Sequence, residues 1–323
     1  RDLLNDLEEV KQVLGSVELE TRGGAPSGSG DLRTRVAWVV AGAALMIAAM
    51  AGLVAVRSRP ADLPLVRSSL LAPEGTEFDF SEGAPALSPD GRRLAFLARG
   101  PDGLRQIWVH ALDRPASQPL AGTEGATHPS WAPDGTALGF FSDRKLRRFD
   151  FNNGAIRPLC DVERTPLGGA WGPDGTILFA RSEASEIYKV SSDGGSAVAA
   201  TEFEVRWDDS HHAFPLFLPD GRRFLFTSNG RAESGENAGH RGILVVGSLD
   251  SKARKQIMSV VSSAAYSTSG HLLFLRGDTL FAQRFEASRL ALAGAPVEIA
   301  TRVAFSIYGE AVVTVASNGT LVY

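Results

Sequence analysis

One short motif returns at near-constant spacing through most of this 323-residue chain: an apolar residue, Pro-Asp-Gly, then a second apolar stretch. Its copies read ALSPDGRRLAF at 86–96, SWAPDGTALGF at 130–140, AWGPDGTILFA at 170–180 and LFLPDGRRFLF at 216–226, followed by the degenerate AYSTSGHLLFL at 265–275 and TVASNGTLVY at 314–323. The glycines Gly91, Gly135, Gly175, Gly221, Gly270 and Gly319 stand 44, 40, 46, 49 and 49 residues apart. Each part of the motif has a physical reason. Proline presets φ at the first central turn position, aspartate accepts local backbone N–H groups, and glycine takes a positive φ without a Cβ clash. The predicted local structure is a tight hairpin. An apolar residue lies four positions before each glycine (Leu87, Trp131, Trp171, Phe217, Tyr266, Val315) and another three after it (Leu94, Leu138, Leu178, Phe224, Leu273, Val322).

A third strand follows in each full unit, for example Ile107–Val109, Leu146–Phe149 and Ile187–Val190, and a turn then leads to a short fourth strand such as Ile156–Leu159. Four antiparallel strands in roughly 40–50 residues make a propeller blade. The sequence therefore predicts an all-β fold over 62–323: a β-propeller of four-stranded antiparallel blades, five full units plus the first hairpin of a sixth. The Pro and Asp missing from the last two copies leave closure of the ring at that end open. Residues 63–71, LPLVRSSLL, read as a leading strand that completes a blade elsewhere in the ring.

The preceding segment is different in kind. Residues 1–20 carry Leu3, Leu7, Val10 and Leu14 at helical spacing, which predicts a short amphipathic juxtamembrane helix. Residues 21–35 are a flexible linker rich in Gly and Ser at its start. Val36–Val56 is an uncharged run long enough, at about 1.5 Å per residue, to span a bilayer as one α-helix. Arginines flank it on both sides (Arg33, Arg35, Arg57, Arg59), so charge alone does not orient it. Its small residues, Gly42, Ala48 and Gly52 among them, would allow a homodimer through the membrane helix, although simple tolerance in lipid accounts for them as well. The first residue is Arg1 and the last repeat stops at Tyr323, which reads as a piece of a longer protein.

A net charge of −4 argues against nucleic acid as a bulk partner, and the single cysteine, Cys160, precludes a disulfide framework or a cysteine zinc site. No G-x-S-x-G elbow, HExxH, Walker loop or kinase catalytic loop appears, so no catalytic, cofactor-binding or metal residue is assigned. The most polar cluster is Trp207, Asp208, Asp209, Ser210, His211 and His212, on the loop leading into an innermost strand; His128 stands at the corresponding place in another unit. These are the candidate ligand or partner contacts, because His and Asp are capable ligands near the channel. The plainer and stronger reading is a loop whose side chains cap strand ends. Asp90, Gly91, Asp134, Gly135, Asp174, Gly175, Asp220 and Gly221 are read as turn residues, not as a carboxylate array. Residues 228–241 read as a long polar insertion, and Arg144, Lys145, Arg147 and Arg148 as a solvated basic strand edge.

The repeat units resemble the PD40, or WD40-like, repeats of TolB-type propellers. The full order, DLLNDLEEVKQ, Gly/Ser linker, apolar helix, VRSSLLAPEGTEFDF and the PDG units, resembles the C-terminal half of bacterial transmembrane serine/threonine protein kinases with an extracytoplasmic propeller. That resemblance implies a kinase domain before Arg1, a cytoplasmic N-terminal flank, and a single-pass inner-membrane protein with its propeller in the periplasm. It implies a non-catalytic module binding a protein or peptide ligand as a kinase sensor. Two alternatives stand beside it: a TolB-like envelope scaffold without signalling, and the propeller of a prolyl-oligopeptidase-type hydrolase whose catalytic domain lies elsewhere.

Overall fold

A computed structural model describes Gly42 and residues 68–163, 165–204, 209–230 and 242–323. The β-structure lies in the second of the two units into which the chain divides, Leu70–Tyr323. Five sheets follow one another, each running outward from its inner strand. Blade 1 contains β1 (Glu77–Phe78), β2 (Ala86–Leu87), β3 (Arg93–Arg99), β4 (Arg105–Ala111) and β5 (Ser117–Pro119). Blade 2 contains β6 (Thr127–Trp131), β7 (Ala137–Ser142), β8 (Lys145–Asp150) and β9 (Ile156–Asp161). Blade 3 contains β10 (Gly169–Trp171), β11 (Thr176–Ala180), β12 (Ile187–Ser191) and β13 (Val198–Ala199). Blade 4 contains β14 (Asp209–Phe217), β15 (Arg223–Gly230), β16 (Gly242–Ser248) and β17 (Lys255–Val260). Blade 5 contains β18 (Ala265–Ser267), β19 (His271–Arg276), β20 (Thr279–Glu286) and β21 (Ala291–Ala300). A two-stranded sheet, β22 (Thr314–Val315) with β23 (Leu321–Val322), takes the sixth ring position. Every pairing is antiparallel.

The PDG motif makes the turn its chemistry predicts. In all six copies the glycine N–H donates to the carbonyl three residues back, from Gly91 to Ser88, Gly135 to Ala132, Gly175 to Gly172, Gly221 to Leu218, Gly270 to Ser267 and Gly319 to Ala316. The aspartate Oδ1 then accepts the N–H two residues on: Arg92 at 3.1 Å for Asp90, Thr136 at 2.9 Å for Asp134, Thr176 at 3.0 Å for Asp174 and Arg222 at 3.0 Å for Asp220. Asn318 does the same for Thr320 in the last copy. The substitution of Asp by Asn thus keeps the turn, because either side chain offers the same acceptor.

Blade-on-blade packing supplies the core. All six residues of β7 are buried, so both faces of that strand are covered, as they must be when a sheet stands between two others. Phe96, Phe140, Phe179, Phe226 and Phe274 occupy equivalent positions on the second strands, each no more than 1% exposed. Six apolar clusters form around the ring. Leu97, Ile107, Trp131 and Phe140 join blades 1 and 2; Phe141, Trp171 and Phe179 join blades 2 and 3. Leu178 and Phe226 join blades 3 and 4; Leu225 and Phe274 join blades 4 and 5. Leu275 and Ala311 join blade 5 to the last hairpin. Leu94, Phe96 and Ala316, with Leu70, Phe78 and Val322, join that hairpin to blade 1. Trp108, Trp131 and Trp171 belong to these seams. The Trp131 indole N–H donates to the Ala86 carbonyl at 2.9 Å, and the Arg93 guanidinium lies 4.5 Å over its ring.

The ring closes despite the loss of Pro and Asp from the terminal repeats. The Leu87 N–H donates to Thr314 Oγ1 at 3.1 Å, the Ser317 N–H to the Pro89 carbonyl at 3.3 Å, and Asn318 Nδ2 to the Asp90 carbonyl at 3.0 Å. The expectation of a leading strand at 63–71 is corrected in part: residues 68–71 form no strand, and β1 instead pairs with β3, at Glu77 opposite Arg99. Residues 63–67 lie outside the described residues, as do the 1–20 helix, the 21–35 linker and the Val36–Val56 span except Gly42, whose backbone is helical. Among the described residues no helix is long and apolar enough to cross a membrane. Of the polar insertion, 228–230 belong to β15, and 231–241 lie outside the described residues.

Two glycine substitutions separate backbone strain from crowding. Gly319 has φ +89° with open space around it, whereas Gly221 has φ +63° and a Cβ there would stand 2.5 Å from Pro173 of the neighbouring blade. Gly319→Ala should cost about 1 kcal/mol, and Gly221→Ala about 2–4 kcal/mol with the added overpacking, measured by urea unfolding. Phe140→Ala should cost about 3–5 kcal/mol in the same assay.

Candidate functional site: the axial cavity

Each inner strand is led in by a segment that reaches the ring axis. Counting seven residues back from the turn glycines gives Ala84, His128, Gly168, Phe214 and Ser263. Three of these have positive φ: Gly168 (φ 79°) and two non-glycine residues, His128 (φ 46°) and Phe214 (φ 52°), each of which precedes a proline. His128 and Phe214 also sit at register shifts, between Thr127 and Ser130 in β6 and between Ala213 and Leu216 in β14. A bulge of this kind re-aims a side chain out of the alternation of the strand. The preceding unit fixes the bulge from behind. The His128 N–H donates to the Glu82 carbonyl at 3.1 Å, and the Phe214 N–H to the Leu167 carbonyl at 3.0 Å. Gly83 permits this approach: a Cβ there would stand 2.7 Å from the His128 nitrogen.

The lead-in segments enclose a cavity of about 200 Å³ lined by all six ring positions, from Ala84–Ala86 and Pro129–Ser130 through Gly168–Gly169, Phe214–Leu216 and Ser263–Tyr266 to Glu310–Val315. Its wall is mostly small residues, prolines and backbone. Glu310 is the one carboxylate on it. The Ala84 N–H donates to Glu310 Oε2 at 3.0 Å. Beside that oxygen, His128 Nε2 stands 3.4 Å away, an ionic-contact distance without hydrogen-bond alignment. The His128 ring is 4% exposed, flanked by Phe141 and Phe214, and neither ring nitrogen has a hydrogen-bond partner. A buried imidazole left so is uncommon.

Burial sets the protonation of both groups. It pushes the Glu310 carboxyl up from 4.5 to about 7, opposed by the Ala84 N–H. It pushes His128 down to about 3, helped by the Arg105 guanidinium. Arg105 is itself held by the Ala126 carbonyl at 2.9 Å and by Asp79 at 3.5 Å. Near neutrality the pair is therefore a neutral imidazole beside a carboxyl poised to ionise.

The other candidates fall elsewhere. Trp207 and Asp208 lie outside the described residues, and Asp209 begins β14. His211 and His212 follow it in β14, ahead of the stretch that lines the cavity, and neither lines it. His212 is fully buried between blades 3 and 4; its Nδ1 meets Thr201 Oγ1 at 2.8 Å and its Nε2 meets Arg254 at 3.1 Å, with Arg254 also paired to Glu204. His211 Nε2 meets Asn229 Nδ2 at 2.8 Å. The structure thus sets His128 behind Glu310, off the cavity wall, and gives His212 tertiary partners. Among the described residues no group of three His, Cys, Asp or Glu side chains could hold a metal ion. Arg147 and Lys145 of the basic edge pair with Asp143 and Asp161. Burial, with Asp161 adding to it, pushes the Cys160 thiol up to about 11, which keeps it a poor nucleophile. Glu310 was not among the sequence candidates. Its unit has a degenerate lead-in, so it stands nine residues before Gly319 and not seven.

The pair fixes the pH dependence of stability. The folded state holds the Glu310 proton up to about pH 7 while the unfolded chain releases it near 4.5, so this group lowers stability as pH rises between those values. His128 acts oppositely, raising stability from about pH 3 to 6.5. Glu310→Gln should leave stability near wild type at pH 4 and gain on it up to pH 7, by an amount on the order of a few kcal/mol, in urea titrations across that range. A constant difference between the two proteins would refute this protonation scheme.

The family profile described as "PD40: TolB beta propeller domain" matches residues 72–270, well over half the chain. The curated protein "Uncharacterized peptidase YuxL" of Bacillus subtilis (strain 168) is 25% identical over 190 residues, 45% of this chain and 29% of that protein. Among solved structures, TolB from Acinetobacter baumannii aligns with TM-score 0.52 and 14% identity, covering 71% of this chain and 55% of its own. Kuenenia stuttgartiensis hydrazine synthase aligns with TM-score 0.50 and 12% identity, covering 73% and 69%. The chain thus spans less than two thirds of the YuxL and TolB lengths, and the structural likenesses show the fold alone.

Proposed function

Because this chain belongs to the TolB β-propeller (PD40) family, we propose that it is a non-catalytic binding module that takes a protein or peptide segment at the axial cavity, and serves as the extracytoplasmic sensor of a membrane-anchored serine/threonine kinase. The observation that carries the binding step is the cavity itself. All six ring positions contribute to its wall, and two of the inner strands that border it are bulged at positive-φ residues, His128 and Phe214. Backbone strain of this sort persists where the surroundings over-determine it, and it clusters at binding sites. A rigid ring with irregular axial segments is a scaffold for recognition, because loops supply the contacts and the blades supply the rigidity. The sensor step rests on the order of segments before Leu70: amphipathic stretch, linker and an apolar run of spanning length.

Kinase output tests the signalling step. Autophosphorylation of the parent protein should change by several-fold when residues 70–323 are removed, and the parent should stay in the membrane. Unchanged activity and unchanged response to envelope extracts would leave a TolB-like docking scaffold instead. The YuxL similarity favours a second reading, a propeller that accompanies a hydrolase. A G-x-S-x-G elbow in the parent gene together with hydrolysis of a peptide ester by the parent protein would establish that reading in place of the first.

A further inference from the structure

The cavity has a chemical bias that its fold does not require. Five of its six lead-in segments present small residues, prolines, hydroxyls or aromatic rings, and the sixth presents Glu310. One oxygen of that carboxylate is engaged by the Ala84 N–H, and the described hydrogen bonds give the other oxygen no donor. His128, 3% exposed at its side chain, lies against the same carboxylate with both nitrogens unpartnered. Arg105, the cation that acts on His128, is turned away, committed to Asp79 and the Ala126 carbonyl.

We propose that the axial cavity binds a primary ammonium group, a peptide amino terminus or a lysine side chain, with the Glu310 carboxylate as counter-ion. This deepens the reading of the cavity as a peptide site and rests on it. An ammonium supplies three N–H donors. One meets the free oxygen of Glu310 in a charge-assisted bond, the stronger kind of hydrogen bond. Neutral His128, its ring nitrogens buried behind Glu310, places no positive charge beside that carboxylate to compete with the ammonium. The remaining wall, Phe214, Pro215, Pro129 and Tyr266, packs the apolar part of the ligand. An anionic group would meet the carboxylate and find no cation on the wall.

Binding is linked to protons. The groups facing Glu310 are His128 from blade 2 and the Ala84 N–H from blade 1, with Arg105 and Asp79 behind His128. Since Glu310 holds a proton up to about pH 7 when empty, an ammonium must displace it. Affinity should therefore fall about tenfold per pH unit below 7, with proton release on binding near neutrality.

Calorimetry on the whole chain tests this with four probes. Glycylglycinamide offers an amino terminus and N-acetyl-lysine amide a side-chain amine; N-acetylglycinamide and N-acetyl-norleucine amide are their uncharged counterparts. At least one amine should bind with 1:1 saturation and at least tenfold more tightly than its counterpart, and which amine does so identifies the source. Glu310→Gln should abolish the preference. Should that variant fail to unfold cooperatively, the wild-type pH series between 5.5 and 8 stands in its place. Equal binding of charged and uncharged probes, or a preference that survives in Glu310→Gln, would overturn the ammonium assignment and leave the peptide site intact. The absence of saturable binding by any probe would overturn both.

Discussion

Everything in this structure follows from the need to cover both faces of each small sheet. A four-stranded sheet with apolar residues on both sides, as in the fully buried β7, cannot stand at the end of a stack. Two exposed ends would leave surfaces like that of Phe96 and Leu94 in water, at about 25 cal/mol for each Å² of apolar area. Joining the ends removes both at once. The chain therefore brings residues near 87 and 316 together across more than 200 positions of sequence, and the cluster of Leu87, Leu94 and Ala316 is the result. The cost is loop-closure entropy, which grows only slowly with length. The axial cavity is a by-product of that closure, for six narrow inner strands cannot fill the centre of their own ring.

The repeat made most of the fold legible. The PDG turns, the apolar positions four before and three after each glycine, and the third and fourth strands all lie where residue chemistry puts them, because each depends on contacts a few residues away or on a neighbour of the same pattern. What escaped depends on departures from the pattern. β1 takes the edge of β3 through Glu77–Phe78, a two-residue pairing with no periodicity to announce it. Closure at the degenerate repeats relies on Thr314, Ser317 and Asn318, polar residues that look like ordinary turn composition until their partners in blade 1 are seen.

The site was half legible for a related reason. His128 was visible as a histidine before a proline in a repeat position, and the structure sets it against Glu310, just behind the cavity wall. His211 and His212 share a sequence neighbourhood, but a strand sends successive side chains to opposite faces. The structure accordingly gives His212 to Thr201 and Arg254 and His211 to Asn229. Glu310 was hidden because its lead-in drifts two residues out of register with the others. Its role also arises only from the company of Ala84 and His128, residues contributed by two other units.

Among the described residues the sixth position holds two strands, and its seam with blade 1 has a mechanical meaning. There the hairpin of β22 and β23 meets blade 1 through the cluster of Leu94, Phe96 and Ala316 and a few hydrogen bonds. That seam closes the ring. Glu310 and Ala84 sit on opposite banks of it and also on the wall of the central void. Whatever lodges in the void therefore clasps the two banks together. Occupancy and integrity of the ring become one coupled equilibrium, in which a guest tightens the circle by the free energy of its own lodging.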